Sequence, residues 1–293
     1  QSLYKTDFSA ISSLEVSTEI PAFLKQKQKI STQQKPRRNS LKNQDIEVLN
    51  HFLEYPIWTS KPIFEKFKTI QNAIFREHNA KGKERFLFVN GTKESKVVLV
   101  AHADTVFDVF YNEPIQKHFI EIENDCFIGK NENGKRIALG ADDRAGCAIL
   151  WALKDSGHSI LLTDGEERGK IGSHWLMEQN PDIANILNQH QFIAEFDRRN
   201  RNDFKCYDVG TDEFRAFIKE KTNFVEPNRE SFTDICTLCI EICGVNFSVG
   251  YHNEHTNNER INFNEWQHTL NIARKLLNED LPKFERGHFD TGH

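Results

Sequence analysis

The chain has 293 residues, 38% of them hydrophobic and 28% charged, with 23 phenylalanines and a formal net charge of −5. That is enough apolar material for one large α/β domain or two small ones, and no run approaches the ~18 apolar residues of a membrane span. The acidic balance excludes general nucleic-acid binding, which needs basic surface to neutralise phosphate. Six cysteines without a disulfide-like framework, and a start without the apolar core of a signal peptide, lead us to expect a cytoplasmic protein with no membrane association.

Residues 1–44 read as a polar N-terminal extension, mobile or loosely docked, whose basic run Lys35-Pro36-Arg37-Arg38 is expected to be solvated. A single catalytic domain is expected over residues 45–293. Ile46, Val48, Leu49, Phe52 and Leu53 have helical spacing behind Asp45 as a cap. A second helix is expected over residues 62–78, where Ile63, Phe64, Phe67, Ile70, Ile74 and Phe75 make one apolar stripe. Residues 85–89 and 96–101 read as adjacent strands about the turn Asn90-Gly91-Thr92, and the second is apolar on both faces, as in a sheet covered by helices. Further strands are expected at 119–128, 159–163, 192–196 and 245–249, with helices at 143–153, 211–219 and 265–277. This alternation predicts an α/β fold, with a mixed, largely parallel central sheet and helices on both faces.

The chain is organised around Leu139-Gly140-Ala141-Asp142-Asp143-Arg144-Ala145-Gly146. Asp142 reads either as a helix cap or as a carboxylate that gives one oxygen to each of two metal ions about 3.5–4 Å apart. Other strand ends favour the second reading. Ala101-His102-Ala103-Asp104 leaves the 96–101 strand with a histidine that can bind metal through one ring nitrogen while Asp104 accepts the proton of the other. Thr163-Asp164-Gly165-Glu166-Glu167-Arg168-Gly169 follows another apolar strand with two glutamates that face different ways, one to ligate and one to handle protons. Ala194-Glu195-Phe196-Asp197-Arg198-Arg199 ends a third strand, and a fourth runs into His252 and His255. Imidazoles mixed with carboxylates suit zinc, whereas calcium or magnesium favours oxygen alone.

The ordered motifs HAD, GADDRAG, DGEERG, FDRR and HTNNE resemble the clan of co-catalytic dizinc exopeptidases, which includes zinc aminopeptidases, peptidase T and the carboxypeptidase G and aminoacylase types. By that resemblance His102 and Asp197 hold one Zn2+, Glu167 and His255 hold the other, and Asp142 bridges them. Asp104 orients His102, and Glu166 is the general base. His252 is the alternative to His255, and otherwise lines the pocket or is exposed. Asp197 and His255 are only 58 positions apart, too few for the inserted lid of the peptidase T branch once a strand and two helices are placed, so a lidless form is expected.

The function expected is hydrolysis of peptides, with removal of an N-terminal residue and Glu254 or Glu195 as acceptors for its amine. The alternative is a carboxypeptidase or N-acyl amino acid amidohydrolase in which Arg198, Arg199 and Arg201 select a carboxylate. A non-catalytic binding protein on the same fold is the reading of another class. Cys236, Cys239 and Cys243 could suggest a metal or iron–sulfur site, but the spacing of Ile235, Leu238 and Ile242 among them reads as one buried helical face with Ser231 and Asp234 as a capping box, and His51, His78 and His288 read as surface residues.

Overall fold

A computed structural model describes residues 43–79, 81–110, 117–228 and 232–286. The basic run at 35–38, Ser231 and His288 lie outside these residues. A mixed sheet of 7 strands in the order β1-β2-β7-β3-β8-β10-β9 is built from β1 (Ile74–Asn79), β2 (Glu84–Val89), β3 (Val98–His102), β7 (Ser159–Thr163), β8 (Ile193–Arg198), β9 (Phe204–Lys205) and β10 (Gly244–Ser248). β7, β3, β8 and β10 run parallel, and β1, β2 and β9 complete the edges in antiparallel pairs. A second sheet of 5 strands joins β4 (Phe119–Glu123), β5 (Cys126–Lys130), β6 (Arg136–Ile137), β11 (Tyr251–His252) and β12 (Arg260–Asn262).

Every residue of β3, β7 and β10 is buried, as expected of parallel strands covered on both faces. Phe86, Phe88, Val98, Val100, Leu161 and Ile193 form a core with Leu176, Ile183, Leu187 and Ile235. The last four come from α5 (Ile171–Gln179), α6 (Pro181–Leu187) and α8 (Ile235–Leu238). Against β3 and β8 lies α4 (Ala141–Ala152), backed by α1 (Gln44–Leu53). A Cβ on Gly146 would collide with the Phe196 carbonyl, so glycine there lets α4 settle on β8. α9 (Phe263–Leu277) donates from Trp266 Nε1 to the Ala145 carbonyl at 3.0 Å. α7 (Asp212–Thr222) matches the helix expected at 211–219, with Thr211 Oγ1 accepting the Phe214 N–H at 3.2 Å.

Four local expectations need correction. Asp45 does not cap α1: Asn43 Oδ1 accepts the Asp45 N–H at 3.0 Å, and Asp45 makes a bidentate ion pair with Arg274 at 2.6 and 2.7 Å. The helix expected at 62–78 stops early, as α2 (Lys61–Phe67); Asn72 turns left-handed at φ 62° and the rest becomes edge strand β1. The strand expected at 119–128 is the hairpin β4–β5, folded at Asn124 and Asp125, both with positive φ, as in a two-residue hairpin turn. Finally, β2 and β3 are not neighbours, because β7 lies between them.

Candidate metal centre

The parallel strands β3, β7, β8 and β10 end on one edge of the sheet, where open α/β sheets present ligands. His102 closes β3 with its side chain fully buried. Its Nε2 lies 3.2 Å from Asp142 Oδ1 and 3.5 Å from Asp197 Oδ1, and its Nδ1 lies 3.4 Å from Asp104 Oδ1. His255, in the turn after β11, places Nε2 3.1 Å from Asp142 Oδ2 and 2.9 Å from Glu167 Oε1. Asp142 therefore turns one carboxylate oxygen toward each imidazole. Donor atoms of His102, Asp142 and Glu167 lie within 4.8 Å of one another, as do those of His102, Asp143 and Asp197.

The charge balance fits bound cations. Burial and then the Asp142 charge push Asp197 up to about 7. Burial raises Glu167, with Asp142 adding to it, and holds Glu166 well above the usual carboxylate range despite the nearby His102. Hydrogen bonds from His102 and His255 hold Asp142 low against its burial, and those to Asp142 and Glu167 push His255 up to about 11. Two imidazoles cannot match this many carboxylates, whereas divalent ions can, and the mixture of nitrogen and oxygen donors is one that zinc accepts.

Several side chains hold the centre without facing it. Asp104 is fully buried and accepts the N–H groups of Gly165 at 2.8 Å, Glu166 at 3.2 Å and Glu167 at 3.3 Å, tying the glutamate turn to the end of β3. Asp143 accepts from the His102 N–H at 3.2 Å and the Gly146 N–H at 2.9 Å, so the second aspartate of the pair serves backbone. Arg144 is buried and donates to the carbonyls of Ala103, Pro56 and Thr59. Thr233 Oγ1 donates to Asp197 Oδ2 at 3.1 Å and Tyr251 OH to Oδ1 at 3.2 Å.

Sequence reasoning gave Glu259 no role, although it closes the HTNNE run. It is fully buried and accepts the N–H groups of Leu139 at 3.1 Å, Gly140 at 2.7 Å and Asp142 at 3.2 Å, which shapes the loop that presents Asp142. The signal available was a carboxylate between two polar turns and the apolar Ile261.

Other residues expected at the site are engaged elsewhere. His252 Nε2 lies 2.7 Å from Glu265 Oε2. Arg198 pairs with Asp203 at 2.9 Å, Arg199 with Glu254 at 2.6 Å and Arg201 with Glu265 at 3.4 Å. Glu195 is fully buried and so is no rim acceptor for an amine. Asp234 does not cap α8 through its side chain but accepts from Ser173 Oγ at 2.7 Å and from Thr163 Oγ1. Cys239 and Cys243 are buried, and burial raises their thiols and that of Cys236. His51 meets the Tyr55 hydroxyl at 3.0 Å, and His78 stacks on Trp175.

No protein-family model and no curated protein sequence matches the chain. Solved structures do. Aminopeptidase PepT from Bacillus cereus superposes with a TM-score of 0.56 at 12% identity, covering 80% of this chain and 97% of that one. A tripeptidase from Staphylococcus aureus gives 0.57 at 14% identity, covering 80% and 96%. The TET1 peptidase of Pyrococcus horikoshii, which assembles into a tetrahedron or a large octahedral shell, gives 0.55 at 12%, covering 80% and 99%. The chain thus shares the α/β fold of these peptidases.

Proposed function

We propose that the chain is a metal-dependent exopeptidase that carries two zinc ions and removes N-terminal residues from peptides. The observation that carries this reading is Asp142, whose two oxygens face two different imidazoles, at 3.2 and 3.1 Å. His102 and Asp197 would hold one ion and His255 and Glu167 the other, with Asp142 shared. When bound, the ions supply Lewis acidity to a scissile carbonyl and to a water.

The chain's own residues do the rest. Asp104, with Oδ1 3.4 Å from His102 Nδ1, would hold the ring proton on Nδ1 and so leave the Nε2 lone pair free. Glu166, anchored by its N–H to Asp104, takes the proton of the attacking water and returns it to the leaving amine, a task helped by a carboxyl held above its usual range. Acid-rich surroundings favour an ammonium group at the mouth, and the three arginines that could instead select a carboxylate already face Asp203, Glu254 and Glu265. Two of the structural neighbours, an aminopeptidase and a tripeptidase, agree with this choice.

A lidless form is part of the proposal. Between Asp197 and His255 the described residues include β9 and β10, which belong to the main sheet. A cytoplasmic location fits cysteines that are all unpaired, and no helix among the described residues is long and apolar enough to cross a membrane. The deciding assay incubates zinc-loaded protein with a tripeptide and its N-acetylated form, with Glu166→Gln protein as the blank. We expect loss of the first residue from the free peptide alone; equal cleavage of the acetylated peptide would refute the amine-directed reading.

A further inference from the structure

The turn that carries Glu166 and Glu167 ends in Lys170, which has left-handed backbone angles (φ 61°) before α5 begins. Its backbone is pinned at both ends: its N–H donates to the Glu166 carbonyl at 3.0 Å, and its carbonyl accepts from Ser173 Oγ at 3.0 Å. The side chain is free to project. Lys83, Arg85, Arg198 and Arg199 are matched to carboxylates, whereas among the described residues Lys170 has no carboxylate partner and its Nζ lies 5.7 Å from the centroid of the Phe232 ring.

Phe232 is equally out of place for a structural role, because it is 80% exposed. The next two residues are buried. Thr233 bonds to Asp197, and Asp234 accepts from Ser173, the same hydroxyl that bonds to the Lys170 carbonyl. An ammonium and a bare aromatic ring are thus held side by side at the rim, one from the glutamate turn and the other from the segment that braces Asp197.

We propose that Lys170 and Phe232 form the subsite for the carboxyl end of the substrate: the ammonium takes the free C-terminal carboxylate of a short peptide, and the ring packs against the side chain beside it. This rests on the exopeptidase reading and deepens it. A peptide carboxylate approaching Asp142, Glu166, Glu167 and Asp197 is better received where a cation meets it, and Lys170, tied by its N–H to the Glu166 carbonyl, is a cation with no carboxylate partner among the described residues.

The test uses a tripeptide as its free acid and as its C-terminal amide, with wild-type, Lys170→Gln, Lys170→Arg and Phe232→Ala proteins loaded with zinc. Losing one charge-assisted contact predicts a KM for the amide about tenfold above that for the acid in the wild type. This ratio should collapse toward one in Lys170→Gln and survive in Lys170→Arg, while Phe232→Ala raises KM for both peptides. The dissociation constants of the two peptides in a Glu166→Gln background should show the same ratio and the same collapse. If the wild type cuts both peptides with a ratio near one, or if Lys170→Gln keeps the ratio, the subsite is wrong and the exopeptidase reading stands. If the wild type cuts neither, that reading falls and the subsite falls with it.

Discussion

Asp104→Asn is the substitution whose outcome the geometry constrains most tightly. Oδ1 of Asp104 accepts from Gly165 and Glu166 and faces His102 Nδ1, whereas Oδ2 accepts only from Glu167. An asparagine will keep its oxygen at the Oδ1 position, because the flipped rotamer sets its NH2 against two N–H groups instead of one. The Glu167 N–H then loses a charged acceptor in a buried place, at a cost of about 2–3 kcal/mol. Relief of repulsion between Asp104 and Asp164, which after burial is the next cause raising Asp164 to about 6, returns about 1 kcal/mol. The net loss of about 1–2 kcal/mol corresponds to a Tm lower by roughly 2–8 °C. Because Glu167 is the group set loose, the damage should fall on the His255–Glu167 ion, with a zinc affinity about 10- to 100-fold weaker there and a smaller change at His102. Differential scanning calorimetry and zinc titration against a competing chelator measure both effects. Unchanged two-site affinity together with an unchanged Tm would refute the assignment of Asp104 as the anchor of the glutamate turn.

Glu166→Gln should reduce turnover about a hundredfold or more with zinc still bound, since it removes the proton acceptor alone, whereas Glu167→Gln should weaken zinc binding; kinetics with elemental analysis of the same samples would expose an exchange of the two roles. Asp142→Asn offers one oxygen in place of two, so zinc content should fall from about two ions per chain to one or fewer, and retention of two would remove the shared-ligand geometry. In metal-free protein Asp197 and Glu259 are both pushed up to about 7. These carboxyls hold protons more tightly folded than unfolded, so the stability they confer is complete below about pH 4 and is lost as the pH climbs through about 7. The Tm of metal-free protein should therefore fall between pH 5 and pH 7.5 by the equivalent of about 3 kcal/mol or more, and zinc should remove the share due to Asp197; a flat metal-free profile would contradict it.

The strands that could be read from the residues are those buried on both faces. β3 and β7 are nearly continuous apolar runs, and β10 sets Val245 and Phe247 between the buried polar Asn246 and Ser248. β1 was misread because Ile70, Ile74 and Phe75 fit a helical stripe, while an edge strand with one face in solvent and charged residues along it carries no clean alternation. Neighbour order was beyond reach for a different reason. β7 enters between β2 and β3 from far along the chain, and nothing in three apolar runs says which pair.

At the site, residue type and position at a strand end marked His102, Asp142, Glu167, Asp197 and His255, but they could not separate a carboxylate that faces an ion from one that faces backbone. Asp142 and Asp143 are adjacent and both buried, yet their partners differ in kind. Asp143 is answered by two N–H groups, one on each oxygen, which can give nothing but their protons, although its carboxylate also lies within 4.8 Å of donor atoms of His102 and Asp197. Asp142 is answered by two imidazole nitrogens, each of which can surrender its proton and present a lone pair. The same test puts Asp104 and Glu259 with the supports, since their oxygens are filled by N–H groups that lie 61 to 63 and 117 to 120 positions away in the chain. Such partners are fixed only by the fold. A motif can therefore announce the carboxylates of a metal centre, but which of them hold the ion and which hold the loop depends on contacts that no local stretch of sequence contains.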